Sequence, residues 1–244
     1  MEFSMRRVNA LFSKELKELP KNINVLFMAA LPVIFCAIYL KIFRNVMNSQ
    51  EGKIYILNTI LNMNLVMVAT LIMAMLIAEE KEKNTLKTLM LTSLSPAEFL
   101  IGKALITIFI SVIVNIAIFF MLKIQMQYLL MYFIITIVVL ISMVEIGAVI
   151  GIVSKNQMAT GTIGTPLCMF LFMIPLLSGL NKTFYKIATL LPNYNSMIIL
   201  KKVFDGKNIL EGSGYNIFVI FAWIVGSSLV FAYVYNRNGI SSDS

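Results

Sequence analysis

The sequence contains no histidine. An imidazole base, a His metal ligand and every Ser/His or Cys/His nucleophile pair are therefore excluded. Cysteine is nearly absent: Cys36 and Cys168 both sit inside apolar runs, where cysteine behaves as a small buried apolar residue. Neither a disulfide framework nor a thiolate metal site is expected. A phosphate-binding Gly-x-x-x-x-Gly-Lys-[Ser/Thr] loop is missing too, since Gly102-Lys103 has Ala97 where the first glycine would stand. The chain is not expected to bind or hydrolyse ATP itself. Charge is also scarce, at 13% of 244 residues, while 59% are hydrophobic. With a mean hydropathy of +0.86, this is the composition of an integral membrane protein. The net charge of +8 does not point to nucleic acid, because the basic residues lie in the gaps between apolar runs, where they orient membrane proteins.

A bilayer core of about 30 Å takes roughly 20 helical residues. Six runs qualify as spans: 25–42, 56–78, 99–122, 128–153, 158–180 and 217–235. The expected fold is all-α, a single transmembrane domain over 1–244. The gaps between the third, fourth and fifth spans are short enough to demand tight helical hairpins. Residues 1–24 precede the first span. There Met5, Val8, Leu11, Phe12, Leu16 and Leu19 alternate at helical spacing with Arg6, Arg7, Lys14, Glu15, Lys17 and Glu18, the pattern of an amphipathic helix lying in the membrane interface. The segment 181–216 holds two apolar stretches too short to span, one ended by Pro192 and one by Asp205-Gly206, and reads as re-entrant or interfacial helices. The Asn181-Lys182-Thr183 sequon is a chance match.

Lys and Arg set the orientation. With both termini inside, the inner segments hold eleven and the outer segments nine, five of them in the long 181–216 segment; the short loops alone give eleven to four. Both termini are expected to be cytoplasmic.

The main polar interruption follows the second span. Glu79, Glu80, Lys81, Glu82 and Lys83 run in sequence; then Leu86, Leu89 and Met90 fall on one side of a two-turn helix over 84–91, with Asn84 as a competent N-cap. A second helix start follows, with Ser95 as cap, Pro96 at the first helical position and Glu98 three residues beyond the cap. The stretch resembles the loop between the second and third spans of type-2 ABC exporter permeases. The residues that carry the likeness are Glu79 or Glu80, Thr85-Leu86, Leu89, Leu91, Thr92, Pro96, Glu98, Leu100 and Gly102-Lys103; Asn84 stands where that family usually has Gly. Gly147 to Leu180, with its Ser-Lys-Asn-Gln turn, and Leu191-Pro192 to Gly206 extend the resemblance over most of the chain, as does the N-terminal elbow helix.

The resemblance implies a permease subunit that exports a peptide or a lipophilic antibiotic-like compound across a bacterial plasma membrane. It implies a second permease copy, identical or similar, and two copies of an ABC ATPase that binds ATP and Mg, this chain holding no cofactor. Residues 84–91 would be the coupling helix on that ATPase, with Glu79, Glu80, Asn84, Thr85, Leu86, Leu89 and Met90 as the coupling set. In the family the second and fifth spans line the route, which makes Asn58, Asn62, Thr162 and Thr165 lining candidates, although small and hydroxylated residues also mark close helix packing.

Glu145 is the charged residue well inside a span. An ionisable group there faces protein or water. It reads as a substrate contact, a protonation site, or a carboxyl joining helices through Asn115 or Ser142. A stand-alone ion- or proton-coupled carrier is the alternative reading it keeps open. An intramembrane protease fails, because Glu79-Glu80 is followed by Asn84 where an Arg is needed and the histidines are missing.

Overall fold

The computed structural model describes residues 3–43, 49–83, 95–209 and 211–238. Among these, ten α-helices follow one another in chain order: α1 (Met5–Glu18), α2 (Ile23–Ile42), α3 (Gln50–Asn62), α4 (Ala69–Glu82), α5 (Pro96–Met121), α6 (Leu129–Val153), α7 (Gln157–Leu177), α8 (Lys182–Ala188), α9 (Pro192–Phe204) and α10 (Gly214–Asn238). A π-helical turn, Met63–Val68, joins α3 to α4 into one continuous helix of 33 residues. Six helical segments of the described residues are long and apolar enough to cross a membrane. The expected all-α membrane fold is what forms, with the six spans in the expected order.

The second span is longer than expected, running from Gln50 to Glu82, and it is the axis of the molecule. Its most apolar stretch is 83% buried, against 17% for the first and last spans. Helices α5, α6 and α7 pack around it, and α6 is itself held between α4 and α10. Two glycines explain how close α6 comes. A Cβ on Gly147 would lie 2.3 Å from the Thr70 carbonyl oxygen, and one on Gly151 would lie 2.8 Å from that of Ala74. Four residues apart, they clear one face of α6 so that the α4 backbone can approach, the Gly-x-x-x-Gly device of membrane helices.

Local chemistry sets the helix ends. Ser95 and Glu98 form a complete capping box at α5, with Pro96 in the first turn. Asn156 caps α7 through the Ala159 N–H. Helix α5 ends in a Schellman motif, in which Lys123 N–H donates to Phe120 and Ile124 N–H to Phe119. This places Lys123 at φ +52°, the left-handed region.

The 181–216 segment forms the two expected short helices. Pro175 has no N–H to offer the Leu171 carbonyl four residues earlier. Asn193, fully buried in the first turn of α9, donates to that carbonyl at 2.8 Å and to Asn62 Oδ1 at 2.7 Å, while Asn62 donates to Phe172 at 3.1 Å. An inserted helix thus satisfies backbone that proline freed, as an apolar surrounding requires.

Candidate functional site

The described part of the loop between the second and third spans builds a charged junction, and each residue of the Glu79–Lys83 run reaches a different neighbour. Glu79 accepts from Asn22, the N-cap of α2, at 2.8 Å, and from Lys83. That hydrogen bond raises the Lys83 ammonium above its ordinary pKa. Glu80, 4% exposed, accepts from Lys103 at 2.8 Å and from Lys14 at 3.2 Å. Lys81 donates to the Ile152 and Ser154 carbonyls at 2.6 and 2.8 Å, where α6 ends. Glu82 accepts the Gln157 N–H at 3.0 Å, where α7 begins. A cation at a helix C-terminus and an anion at an N-terminus are the favourable placements for both dipoles. Two adjacent side chains therefore clamp the two sides of the α6–α7 turn.

The third span completes the junction. Lys103 is 1% exposed and also donates to Glu15 of α1 at 2.8 Å. Glu98, fully buried, takes a two-nitrogen contact from Arg7, at 2.9 and 2.7 Å, and the Ser4 N–H at 2.6 Å. Glu98 raises the Arg7 pKa through that hydrogen bond. Gly102 leaves room for Leu11, whose Cδ2 would lie 2.6 Å from an added Cβ. The Pro96 to Lys103 motif is thus a dock for the amphipathic helix α1: a cap and clamp at Glu98, a gap at Gly102 and a charge at Lys103. Arg7, Glu15 and Lys103 escaped the sequence-based site set. Their signal was the i, i+4, i+8 register of Arg7, Leu11 and Glu15 on one face of α1.

Of the expected coupling set, Glu79 and Glu80 are directed into this junction. Asn84, Thr85, Leu86, Leu89 and Met90 lie outside the described residues. The expected lining residues differ in exposure within one chain. Asn58 and Asn62 are interior (8% and 0% exposed). Thr162 is exposed and Thr165 half-buried on α7. Thr162 stands ten residues, about 15 Å along the helix, from the Phe172 that Asn62 touches.

Glu145 corrects the expected pairing. Its carboxylate accepts from Ser227 and, at 2.7 Å, from Ser228, both on α10. Asn115 instead accepts from Asn64 at 2.7 Å, and Ser142 donates to the Val139 carbonyl in its own helix. The last span, 82 residues away in sequence, is the neighbour that α6 presents to Glu145.

The family described as "ABC-2 family transporter protein" matches residues 5–235. The chain belongs to that family. No curated protein matches it. As an ABC-2 permease the chain is a multi-pass membrane protein and the membrane subunit of an ABC transporter. The match takes in the α1 dock, the junction and all six spans.

Proposed function

We propose that this permease forms half of the route of an ATP-driven exporter and takes its driving motion through residues 84–91 from a separate ABC ATPase. The observation that carries this reading is the junction beside that segment. Residues 84–94 are bracketed by α4 and α5, and the two brackets are joined by Glu80 and Lys103 at 2.8 Å. A displacement entering between them reaches α1 through Glu15, α2 through Asn22, and the α6–α7 turn through Lys81 and Glu82. A buried ion-pair network couples rigid elements well, because breaking one pair leaves an uncompensated charge.

ATP and Mg belong to the ATPase, two copies of which would serve two permease chains. The exposed apolar faces of α2 and α7 are open to a second copy or to lipid. The short-loop charge bias supports cytoplasmic termini, and sixteen Lys against four Arg is the usage of an AT-rich bacterial genome. A peptide or a lipophilic antibiotic-like substrate suits a route built from apolar spans with small outer loops. A proton-coupled carrier is disfavoured by Glu145, whose two carboxylate oxygens each have a serine partner.

The test is the double substitution Leu86→Asp/Leu89→Asp, with the ATPase co-expressed. The variant is expected to insert and remain folded while losing transport-stimulated ATPase activity and copurification of the ATPase. Normal stimulation in a folded double variant would reject the assignment.

A further inference from the structure

A cleft of ≈ 240 Å³ opens at the end of the spans opposite the junction. Three elements wall it: the start of α3 (Gln50, Lys53), the turn between α5 and α6 (Lys123, Gln125, Tyr128) and the last residue of α9 (Phe204). The walls are tied together. Tyr128 meets Phe204 edge to face at 5.4 Å, and Gln50 donates to the Phe204 carbonyl at 3.1 Å.

The charge of the cleft is one-sided. Among the described residues no carboxylate lines it, and Asp205, next to Phe204, pairs with Lys207 at 3.5 Å. Among the described residues neither the Lys53 nor the Lys123 side chain has an ion pair or hydrogen bond. The cleft at the junction end differs. Of similar size, ≈ 250 Å³, it is lined by both signs, with Lys83 paired to Glu79 and Glu18 to Lys14.

Helix dipoles do not account for both lysines. Lys123 follows the C-terminus of α5, a favourable place for a cation, but Lys53 stands at the start of α3, where the dipole disfavours one. Lys123 also occupies a left-handed position that Gly or Asn fills at lower cost. Two ammonium groups line one cavity beside two carboxamides, which is a combination suited to an oxyanion.

We infer that this cleft binds a phosphate ester, with Lys53 and Lys123 holding the phosphate oxygens and Gln50 and Gln125 beside the esterified group. The volume is below the 300–1,000 Å³ that encloses a drug-sized ligand, so it takes a headgroup and not a whole lipid. Its place at the span ends is the level of phospholipid headgroups. The exposed Phe120, Met126 and Leu130 flank the same turn and suit acyl chains. The phosphate has two available sources, an anionic phospholipid or a soluble glycerol phosphate, and the site is separate from the coupling and transport readings.

The test uses the full chain purified in detergent, read by its thermal unfolding midpoint. The probes are dioctanoylphosphatidylglycerol, glycerol 1-phosphate and dioctanoylglycerol. The phosphatidylglycerol is expected to raise the midpoint saturably. Lys53→Gln and Lys123→Asn, the latter keeping a residue that tolerates positive φ, should each weaken its apparent affinity about tenfold, a charged hydrogen bond lost in each case. Lys53→Arg should bind as the native chain does, and unliganded midpoints should be unchanged. A shift with phosphatidylglycerol alone assigns the site to a lipid headgroup; an equal shift with glycerol 1-phosphate assigns it to the soluble ester. A shift of the same size with phosphate-free dioctanoylglycerol, or unchanged affinity in both single variants, would overturn the site.

Discussion

The Lys103 ammonium lies 2.8 Å from the Glu80 carboxylate, and the two residues close the pair of spans on either side of residues 84–94. Lys103 is also 2.8 Å from Glu15, so its removal would leave two buried carboxylates facing each other, with Lys14 at 3.2 Å from Glu80 and 3.7 Å from Glu15. Lys103→Met is expected to cost about 3–5 kcal/mol. Glu15→Gln should cost less, because Lys103 keeps Glu80. Thermal unfolding of the purified chain reads both, and equal losses would show that the Glu80 contact does not hold Lys103 once Glu15 is neutralised.

Gly147 and Gly161 give opposite outcomes for one substitution. An alanine Cβ at 147 would fall 2.3 Å from a backbone oxygen of α4, whereas none of its neighbours lies within 4 Å at Gly161. Gly147→Ala should destabilise by at least about 1–3 kcal/mol through overpacking. Gly161→Ala, in a helix interior with open space, should be neutral or stabilise by about 0.5–1 kcal/mol. A destabilised Gly161→Ala would mean that a second chain covers that face.

These contacts mark how far the sequence could be read. The span order was legible because a bilayer needs uninterrupted apolar runs, and the Ser95, Pro96 and Glu98 start was legible because capping is local. The depth to which Gly147 and Gly151 sink against α4 was not, since spacing shows that a face is small but not which helix meets it. Glu145 shows the same limit: Asn115 and Ser142 of the third and fourth spans are the partners its sequence neighbourhood suggests, while its serines are on the last. The run Glu79–Lys83 is one polar segment in the sequence, yet helical geometry sends Glu79, Glu80, Lys81 and Glu82 to four different elements, while Lys83 turns back onto Glu79. The π turn at 63–68 had no sequence signal beyond a crowd of Asn.

Topology can be checked at two exposed positions. Lys155 lies in the turn between α6 and α7, beside the junction, and Lys182 begins α8 at the other end. Both native cysteines are buried, so single cysteines at these sites report alone. With cytoplasmic termini, an impermeant maleimide added to intact cells should label Lys182→Cys and spare Lys155→Cys. The reverse pattern would invert the orientation and place residues 84–91 out of reach of an ATPase.

Glu145 is half-buried between α6 and α10. Each carboxylate oxygen accepts one serine hydroxyl, and Ser227 also lies 2.6 Å from the Trp223 carbonyl of its own helix. A glutamine keeps one acceptor and gains a donor. One serine hydroxyl can turn to accept from the new NH₂ group, so Glu145→Gln should fold, assemble and transport close to normally. Glu145→Leu removes both acceptors. The serines can fall back on helix carbonyls, which limits the loss to about 1–3 kcal/mol. Ser227→Ala/Ser228→Ala should cost more than that, because it leaves both oxygens of the Glu145 carboxyl without their serine partners in a membrane helix, with no helix carbonyl to fall back on. The ordering Gln, then Leu, then the double alanine identifies Glu145 as a joint between the fourth and last spans. A Gln variant that is stable and bound to its ATPase but does not export would break that ordering's meaning and put the carboxylate on the substrate route.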